Sequence, residues 1–170
     1  MNDAITGIDG SFSLVDHNGR PVTERDFRRR YMLVYFGFTH CRMVCPRSLT
    51  RSSEALDALD PQLAKKIQPL YVSVDPERDS PEVMKAYLET SYPRFLGLTG
   101  DPDALEAAEK KFHVFTGQAK DRGDGYDVPH TAFVYVLGVD GRYLTHFPDA
   151  ITAQAMSARL AALLEAAPGV

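Results

Sequence analysis

The sequence has only two cysteines, no long apolar run and no excess of positive charge. Two cysteines make a poor disulfide scaffold, and they cannot supply a four-cysteine zinc site. No stretch approaches the roughly 20 apolar residues of a membrane span, and residues 1–10 (MNDAITGIDG) lack the apolar region of a signal peptide. The formal net charge of −4 argues against a nucleic-acid or anionic-membrane partner.

What is present is ordinary for a soluble globular domain: 170 residues, of which 44% are apolar and 25% charged. This length suits one domain with a single good core. We expect residues 1–10 to be a tail, the remnant of a linker to a membrane anchor, and residues 11–167 to form the domain. Arg28, Arg29 and Arg30 are a short basic run, which we expect to lie in a solvated loop.

The first half of the chain predicts a hairpin followed by a strand, a helix and a second strand. FSLV (12–15) and RPVT (20–23) flank the turn sequence DHNG. YMLVYFGF (31–38) and IQPLYVSVD (67–75) are apolar runs typical of strands buried on both faces. Pro46 suits the first turn of a helix, which an apolar stripe continues. That stripe consists of Leu49, Leu56, Leu59 and Leu63, with Ser53 among them.

The second half alternates helices with strands and ends in another hairpin. Ser80 and Asp101 predict helix starts, since each is a capping residue followed by proline. RFLGLTG (94–100) is a short strand, and TAFVYVLG (131–138) pairs with RYLTHF (142–147). A last helix is expected from Thr152. The three helices are expected to bury, in chain order, Val83, Tyr87 and Leu88; Leu105, Ala108 and Phe112; and Met156, Leu160, Leu163 and Leu164.

Polar, glycine-bearing residues 116–128 (TGQAKDRGDGYDV) predict a mobile loop. The order of elements is therefore a hairpin, βαβ units, a closing antiparallel hairpin and a final helix. It predicts an α/β fold with a mixed central sheet flanked by helices and an N-terminal β-hairpin. Thioredoxin-like topology is the obvious candidate.

Cys41 and Cys45 occupy the loop between the first buried strand and the following helix. α/β folds place their sites at such strand ends, and the N-terminal amides of the helix stabilise an anion there. A thiolate at this point should have a lowered pKa, which Arg42 and Arg47 would lower further. Residues four apart face one another if helical, so a local shift brings the sulfurs within disulfide range. The pair can be a structural disulfide, a redox dithiol or a soft metal site.

The surrounding sequence separates these three chemistries. Closing so short a loop stabilises a protein little, which disfavours a purely structural disulfide. No histidine stands at zinc-finger spacing, which disfavours zinc. The Cys-x-x-Cys-His motif of a c-type haem is absent. The peroxiredoxin signature has threonine where this chain has Arg42, which disfavours a peroxidase. Two thiolates with one imidazole suit copper, above all Cu(I). His130, between the polar loop and a strand, is the best placed histidine, whereas the side chain of His40 should diverge from that of Cys41.

Four stretches in this order resemble the SCO/SenC family. They are YFGFTHC…VCPRSL (35–49), LYVSVDPERDSP (70–81), YPRFLGLTG (92–100) and the histidine before TAFVYVLGVDGRY (131–143). The resemblance runs from about residue 10 to about 160. Members of this family are thioredoxin-fold copper chaperones for the binuclear copper centre of cytochrome c oxidase.

The resemblance implies a copper site with three protein ligands, which fall on Cys41, Cys45 and His130. It implies one copper per chain, as Cu(I), Cu(II) or both, and delivery to the copper-receiving subunit of cytochrome c oxidase. A thioredoxin-like reductant or another copper chaperone would be a further partner. Such domains work at the periplasmic face of the inner membrane or in the mitochondrial intermembrane space, so the anchor would be absent from this chain.

Two departures from the family pattern lie beside the proposed ligands. Between the cysteines the family commonly has Pro-Asp-Val, where this chain has Arg42-Met43-Val44. Met43 is soft enough to bind copper, but we expect it to pack. Pro129 stands where the family usually carries aspartate, and thioredoxins present a proline opposite their dithiol in the same way. We therefore predict a cis peptide bond before Pro129.

This hybrid pattern supports a second function, a thiol–disulfide oxidoreductase that keeps the cysteines of a copper-receiving subunit reduced. Cys41 and Cys45 would then be its catalytic residues. A third and weaker hypothesis is a copper-dependent redox sensor. Asp75, Arg78 and Asp79 also match a family motif, and we expect them to brace and cap the loop rather than to take part in copper transfer.

Overall fold

A seven-stranded mixed sheet forms the centre of the domain in a computed structural model, which describes residues 7–117, 120–121 and 126–166. The strands are β1 Ser13–Asp16, β2 Pro21–Thr23, β3 Tyr31–Gly37, β4 Ile67–Ser73, β5 Leu96–Thr99, β6 Lys120–Asp121, β7 Tyr126–Asp127, β8 Val134–Leu137 and β9 Tyr143–Phe147. The helices are α1 Val44–Asp57, α2 Pro61–Ala64, α3 Pro81–Ser91, α4 Pro102–Lys111 and α5 Ala153–Ala166. β6 and β7 pair only with each other.

The parallel strands β3, β4 and β5 lie in the middle of the sheet, whose order is β2-β1-β5-β4-β3-β8-β9. β8 continues the sheet antiparallel to β3, and β1 pairs antiparallel with β5. Every residue of β3 is buried, because both faces of a parallel sheet are covered. The predicted mixed sheet with flanking helices and an N-terminal hairpin is therefore confirmed.

Alternate residues of β3 contribute to two separate cores, one on each face of the sheet. Met32, Val34 and Phe36 pack with α4 and the β1–β2 hairpin. Leu33 and Tyr35 pack with the apolar faces of α1, α3 and α5. The strand ends at Gly37 on this second face, so the cysteine-bearing loop begins directly over the core that holds α1.

Three helices begin with a capping side chain before a proline, and the sequence predicted two of them, at Ser80 and Asp101. The side chains of Asp60, Ser80 and Asp101 each accept a hydrogen bond from a backbone N–H of the first turn. The cap at Asp60 corrects the prediction of one long helix through Leu63. The helix α1 ends at Asp57, because the proline after Asp60 cannot continue a helix and starts α2 instead.

The inner face of α3 is shifted by one residue from the prediction. Met84 and Leu88 are buried, whereas Val83 is exposed and Tyr87 only partly buried. Met84 takes the inward position because residues four apart share one face of a helix. The other predicted inward residues are buried, except Leu163, which is partly buried: Leu105, Ala108 and Phe112, then Met156, Leu160 and Leu164.

The segment before β8 also differs from the prediction, which began this strand at residue 131. β8 begins at Val134, because His130 and Thr131 pair instead with residues 115–116. Of the polar loop predicted over 116–128, residues 118–119 and 122–125 lie outside the described part of the chain.

Two further predictions concerned the N-terminal tail and the basic run at residues 28–30. Residues 1–6 of the predicted tail lie outside the described residues, while Asp9 N–H donates to the carbonyl of Lys111. Arg28, Arg29 and Arg30 are exposed, as predicted for a solvated loop. Among the described residues, every helix is too short or too polar to span a bilayer.

Candidate metal centre

Cys41 and Cys45 lie where β3 turns into α1. The Cys41 N–H donates to the carbonyl of Phe38 (3.2 Å), and α1 begins at Val44 with no side-chain cap from Met43. Instead, the Cys45 N–H donates to Cys41 Sγ (3.4 Å). The sulfur of Cys41 therefore satisfies an amide of the helix N-terminus, as the sequence predicts for an anion at this position. Both cysteines are free thiols.

The two thiols differ in exposure and acidity. Cys41 is half-buried and Cys45 is fully buried. A hydrogen bond from the Cys45 thiol, aided by the backbone N–H groups of Cys45 and Met43, lowers the pKa of Cys41 to about 6. The same hydrogen bond, together with burial and the nearby charge of Cys41, raises the pKa of Cys45. At neutral pH Cys41 is thus a thiolate and Cys45 a thiol.

His130 lies beside this pair, although it is 85 residues from Cys45 in sequence. Its Nε2 lies 3.7 Å from Cys45 Sγ, and its ring packs edge-on against Tyr35 and Phe38. Its Nδ1 lies 3.0 Å from the carbonyl oxygen of Val128. A carbonyl oxygen can only accept, so Nδ1–H donates to Val128 and Nε2 is the ring nitrogen that faces the sulfur.

These donors could hold one soft metal ion. Metal bonds to sulfur and nitrogen are about 2.0–2.3 Å long in zinc sites, so the 3.7 Å between Cys45 Sγ and His130 Nε2 is a separation that a shared ion can bridge. Thiolate and imidazole are the ligands that suit copper. The carbonyl of Val128 fixes the tautomer of His130, as outer partners of metal-binding histidines do.

Gly37 and Tyr71 shape the site, and the sequence reasoning missed both. A Cβ at Gly37 would lie 2.7 Å from Cys45 Sγ and equally close to the ring and hydroxyl of Tyr71. Tyr71 is fully buried, and its hydroxyl donates to the carbonyl of Phe38 (2.9 Å). The signal for Gly37 was available, since a glycine ending a buried strand often marks a close approach. Tyr71 had no such signal.

Asp79 braces the loop before the cysteines, as predicted for this motif. Its carboxylate accepts hydrogen bonds from Thr39 N–H (3.1 Å), Thr39 Oγ1 (2.5 Å) and Ser73 Oγ (2.8 Å). Arg78 pairs with Asp75 at 2.5 Å. Together with His40, the two carboxylates offer ligand atoms within 4.8 Å of one another. Because both carboxylates already have these partners, the cluster fits a brace better than a metal site.

Two predictions about this region are wrong. No described peptide bond is cis, including the bond before Pro129. The segment is extended instead, with the carbonyl of Pro129 accepting from Gly117 N–H (2.7 Å) and Thr116 paired with His130. Met43 does not pack, since 73% of its surface is exposed. It lies just before the start of α1, where most of its side chain faces solvent.

Comparisons with known proteins agree with this fold. A model of the SCO1/SenC family matches residues 3–165. The mitochondrial protein SCO2 of Saccharomyces cerevisiae is 37% identical over 139 residues, which are 81% of this chain and 46% of that protein. The chain spans about half the length of such relatives.

Two solved structures are similar over nearly the whole chain. Bradyrhizobium japonicum ScoI, solved with copper bound, has a TM-score of 0.81 and 38% identity, covering 91% of this chain and 98% of its own. Yeast Sco1, also solved with copper bound, has a TM-score of 0.87 and 30% identity, covering 96% of this chain and 92% of its own. These likenesses confirm the predicted fold class.

Proposed function

The chain belongs to the SCO1/SenC family, and on that premise we propose that it is a copper chaperone for cytochrome c oxidase. In this proposal Cys41, Cys45 and His130 bind one copper per chain and deliver it to the copper-receiving subunit of the oxidase. The relatives ScoI and yeast Sco1, which were solved with copper bound, support copper as the cargo.

One observation carries the assignment of ligands to this chain. Cys45 and His130 are 85 residues apart in sequence, yet Sγ and Nε2 lie 3.7 Å apart. A buried cysteine has no need of an imidazole at its sulfur for packing alone. A third soft or borderline donor beside two thiols is what a low-coordinate copper site requires.

Cys41, Cys45 and His130 have different roles in the proposed uptake of copper. Cys41 is already a thiolate at neutral pH, since its pKa is about 6, so it can bind first from its half-exposed position. Cys45 keeps its proton until a cation arrives, because hydrogen bonding and burial raise its pKa. Copper uptake should therefore release one proton from Cys45. His130 would add its Nε2 as the third donor.

The same asymmetry favours a second function, thiol–disulfide exchange. The Cys41 thiolate attacks a partner's disulfide and forms a mixed disulfide, which expels one partner thiolate. Cys45, once deprotonated, then attacks the Cys41 sulfur, forms the Cys41–Cys45 disulfide and releases the second partner thiol. Two electrons pass from this chain to the partner. A thioredoxin-like reductant would restore the dithiol, and another copper chaperone would supply the copper.

The place of action follows from the acceptor. The relative SCO2 of Saccharomyces cerevisiae is named mitochondrial. We infer that this domain works where the copper centre of the oxidase is assembled, in the mitochondrial intermembrane space or at the periplasmic face of the inner membrane.

Copper titration of reduced and oxidised protein tests the ligand set. The reduced protein should take up one copper per chain and the oxidised protein almost none, because a Cys41–Cys45 disulfide has no thiolate to offer. His130→Ala should weaken Cu(II) binding by at least about 100-fold, since losing even an outer partner of a ligand costs about 10–100-fold. Its Cu(I) binding should fall less, because both thiolates remain.

His40→Ala is the matched control, because it removes the imidazole adjacent to Cys41 and should leave both affinities unchanged. Equal copper uptake by the reduced and oxidised forms would refute the ligand set. If His130→Ala binds both copper states like the parent while Cys41→Ser and Cys45→Ser still abolish disulfide exchange, the oxidoreductase function takes first place.

A further inference from the structure

Tyr35 is a buried tyrosine whose hydroxyl faces the candidate metal centre. It lies on β3 and is 1% exposed. Its hydroxyl donates a hydrogen bond to Cys45 Sγ (3.9 Å), which is the one hydrogen bond of this hydroxyl to the described residues. Because buried polar groups are rarely left without a partner, the sulfur of Cys45 is the acceptor that accounts for a hydroxyl at this position.

The ring of Tyr35 is held on two sides. It stacks on Tyr71 with ring centroids 6.0 Å apart and planes inclined by 6°, at a point where β3 and β4 pair in register. The ring of His130 meets it edge-on, with centroids 6.3 Å apart. These contacts keep the phenol in the core while its hydroxyl reaches the sulfur of Cys45.

Tyr71 also lies close to Cys45, but its proton is engaged elsewhere. A Cβ at Gly37 would lie 2.7 Å from both Cys45 Sγ and the Tyr71 hydroxyl. That hydroxyl donates to the carbonyl of Phe38 (2.9 Å), and a phenol has only one proton to donate. Among the described residues, Tyr35 has no such competing acceptor. Burial raises the pKa of Tyr35, so this phenol keeps its proton for the sulfur.

The hydrogen bond from Tyr35 should strengthen when Cys45 binds a metal. A thiol sulfur is a weak acceptor, which fits the long distance of 3.9 Å. Cys45 must lose its proton to bind copper, and a charged acceptor makes shorter and stronger hydrogen bonds. The hydroxyl of Tyr35 is therefore better matched to the metal-bound state of Cys45 than to the free thiol.

We infer that Tyr35 is a positioning residue that acts through Cys45 and raises the preference of the site for Cu(I) over Cu(II). A hydrogen bond draws electron density from a thiolate, so the sulfur donates less to the metal. Cu(II) is the electron-poorer ion and loses more by this than Cu(I). Hydrogen bonding around a cysteine sulfur is one of the factors that tune the potential of copper sites. The inference rests on the proposed copper-binding function.

The ratio of the Cu(I) affinity to the Cu(II) affinity tests this role. Tyr35→Phe removes the hydroxyl and keeps the ring, and proton competition at Cys45 cancels in the ratio because it affects both copper states alike. The ratio should fall about tenfold, since losing an outer partner of a ligand changes metal affinity by about 10–100-fold. A tenfold change corresponds to about 59 mV in a one-electron couple. Competition titrations with a Cu(I) chelator and with a Cu(II) chelator measure the two affinities.

Tyr135→Phe is the matched control. Tyr135 is also 1% exposed, but it belongs to the core on the other face of the sheet, so this variant should keep the parent's ratio. The sulfur-to-Cu(II) charge-transfer absorption is a second readout, which a role in packing alone would not move. A sulfur without its hydrogen bond gives up an electron more easily, so Tyr35→Phe should move the band to longer wavelength. Tyr135→Phe should leave it in place.

Each other outcome contradicts a stated claim. A parent-like ratio and absorption band in Tyr35→Phe would overturn the role of Tyr35 and leave the proposed function standing. An equal fall of the ratio in Tyr135→Phe would show that lost packing is the cause. A ratio that rises in Tyr35→Phe would show that the hydrogen bond favours Cu(II). If the parent binds neither copper state, the proposed function fails, and the role of Tyr35 fails with it.

Discussion

The two segments that carry the candidate ligands are held in different ways. The cysteine segment, residues 37–46, lies on the buried end of the sheet. The histidine segment, residues 114–117 with 128–131, lies beside it and is held mainly by its own backbone pairing. The core therefore positions the two cysteines, whereas a few local hydrogen bonds position His130.

Gly37 and Cys45, near the two ends of the cysteine segment, are buried, although His40, Arg42 and Met43 between them are exposed. Gly37 admits Cys45 Sγ and the ring of Tyr71 at distances that leave no room for a Cβ. Asp79 accepts three hydrogen bonds that tie Thr39 to β4. A dithiol held in this way should keep its geometry whether or not copper is bound.

The histidine segment depends on fewer and more exposed contacts. The carbonyl of Val128 orients the ring of His130, and the pairing of Thr116 with His130 aligns the two strands of the segment. Thr116 Oγ1 donates a long hydrogen bond to Glu109 (3.4 Å). Such a segment can open at lower free energy than the core, which suits a ligand that must release its cargo.

Adding a methyl group to each segment should show the largest difference. Gly37→Ala places a Cβ 2.7 Å from buried atoms of Cys45 and Tyr71, so it should lower the free energy of unfolding by about 2–3 kcal/mol. Gly117→Ala places its Cβ 3.2 Å from the side chain of Pro129, and should lower it by less than about 1 kcal/mol. Urea denaturation of both variants measures the difference. Equal losses would show that the two segments are packed alike.

Removing one brace from each segment should give a smaller difference. Asp79→Ala leaves the Thr39 and Ser73 donors without their acceptor, so it should lower the free energy of unfolding by about 2 kcal/mol. Hydrogen exchange at the Cys41 amide should become faster. Thr116→Val removes only the long bond to Glu109 and should lower stability by about 0.5 kcal/mol. An Asp79→Ala protein as stable as the parent would show that the brace is dispensable.

The smallest expected effect is a pH dependence at Glu109, a residue of α4 that accepts a hydrogen bond from Thr116 of the histidine segment. Burial raises the pKa of Glu109 to about 7. The native state therefore binds this proton more tightly than the unfolded state, and its contribution to stability is present below about pH 4.5 and is lost as the pH rises to about 7. Glu109→Gln keeps an acceptor for Thr116 and removes the titration.

We expect Glu109→Gln to gain stability relative to the parent between pH 5 and pH 8, by at most about 1 kcal/mol because this side chain is partly exposed and screened. Urea denaturation of both proteins at the two pH values measures the change. Glu106→Gln is the control, since Glu106 is fully exposed on the same helix, and it should show no such gain. A parent and a Glu109→Gln variant with parallel pH profiles would contradict the raised pKa.

Sequence reasoning succeeded where the signal was local. An apolar run predicted the burial of β3, and capping residues predicted helix starts at Ser80 and Asp101. The structure confirms all three predictions. It failed where neighbours distant in sequence decide. Met43 was expected to pack, and the bond before Pro129 was expected to be cis, but solvent and the pairing with Gly117 determine the outcome.

By itself the sequence determined that two thiols stand at the N-terminus of a helix after a buried strand, because strand periodicity and a proline after the second cysteine fix that local arrangement. It also pointed to His130, through its place before a strand and through family resemblance. Only the tertiary structure decided that Cys41 is the acidic thiol and Cys45 the buried one, and that His130 Nε2 faces Cys45 at 3.7 Å. Burial, hydrogen-bond direction and the approach of residues 85 positions apart arise from packing across the sheet, which no local pattern encodes.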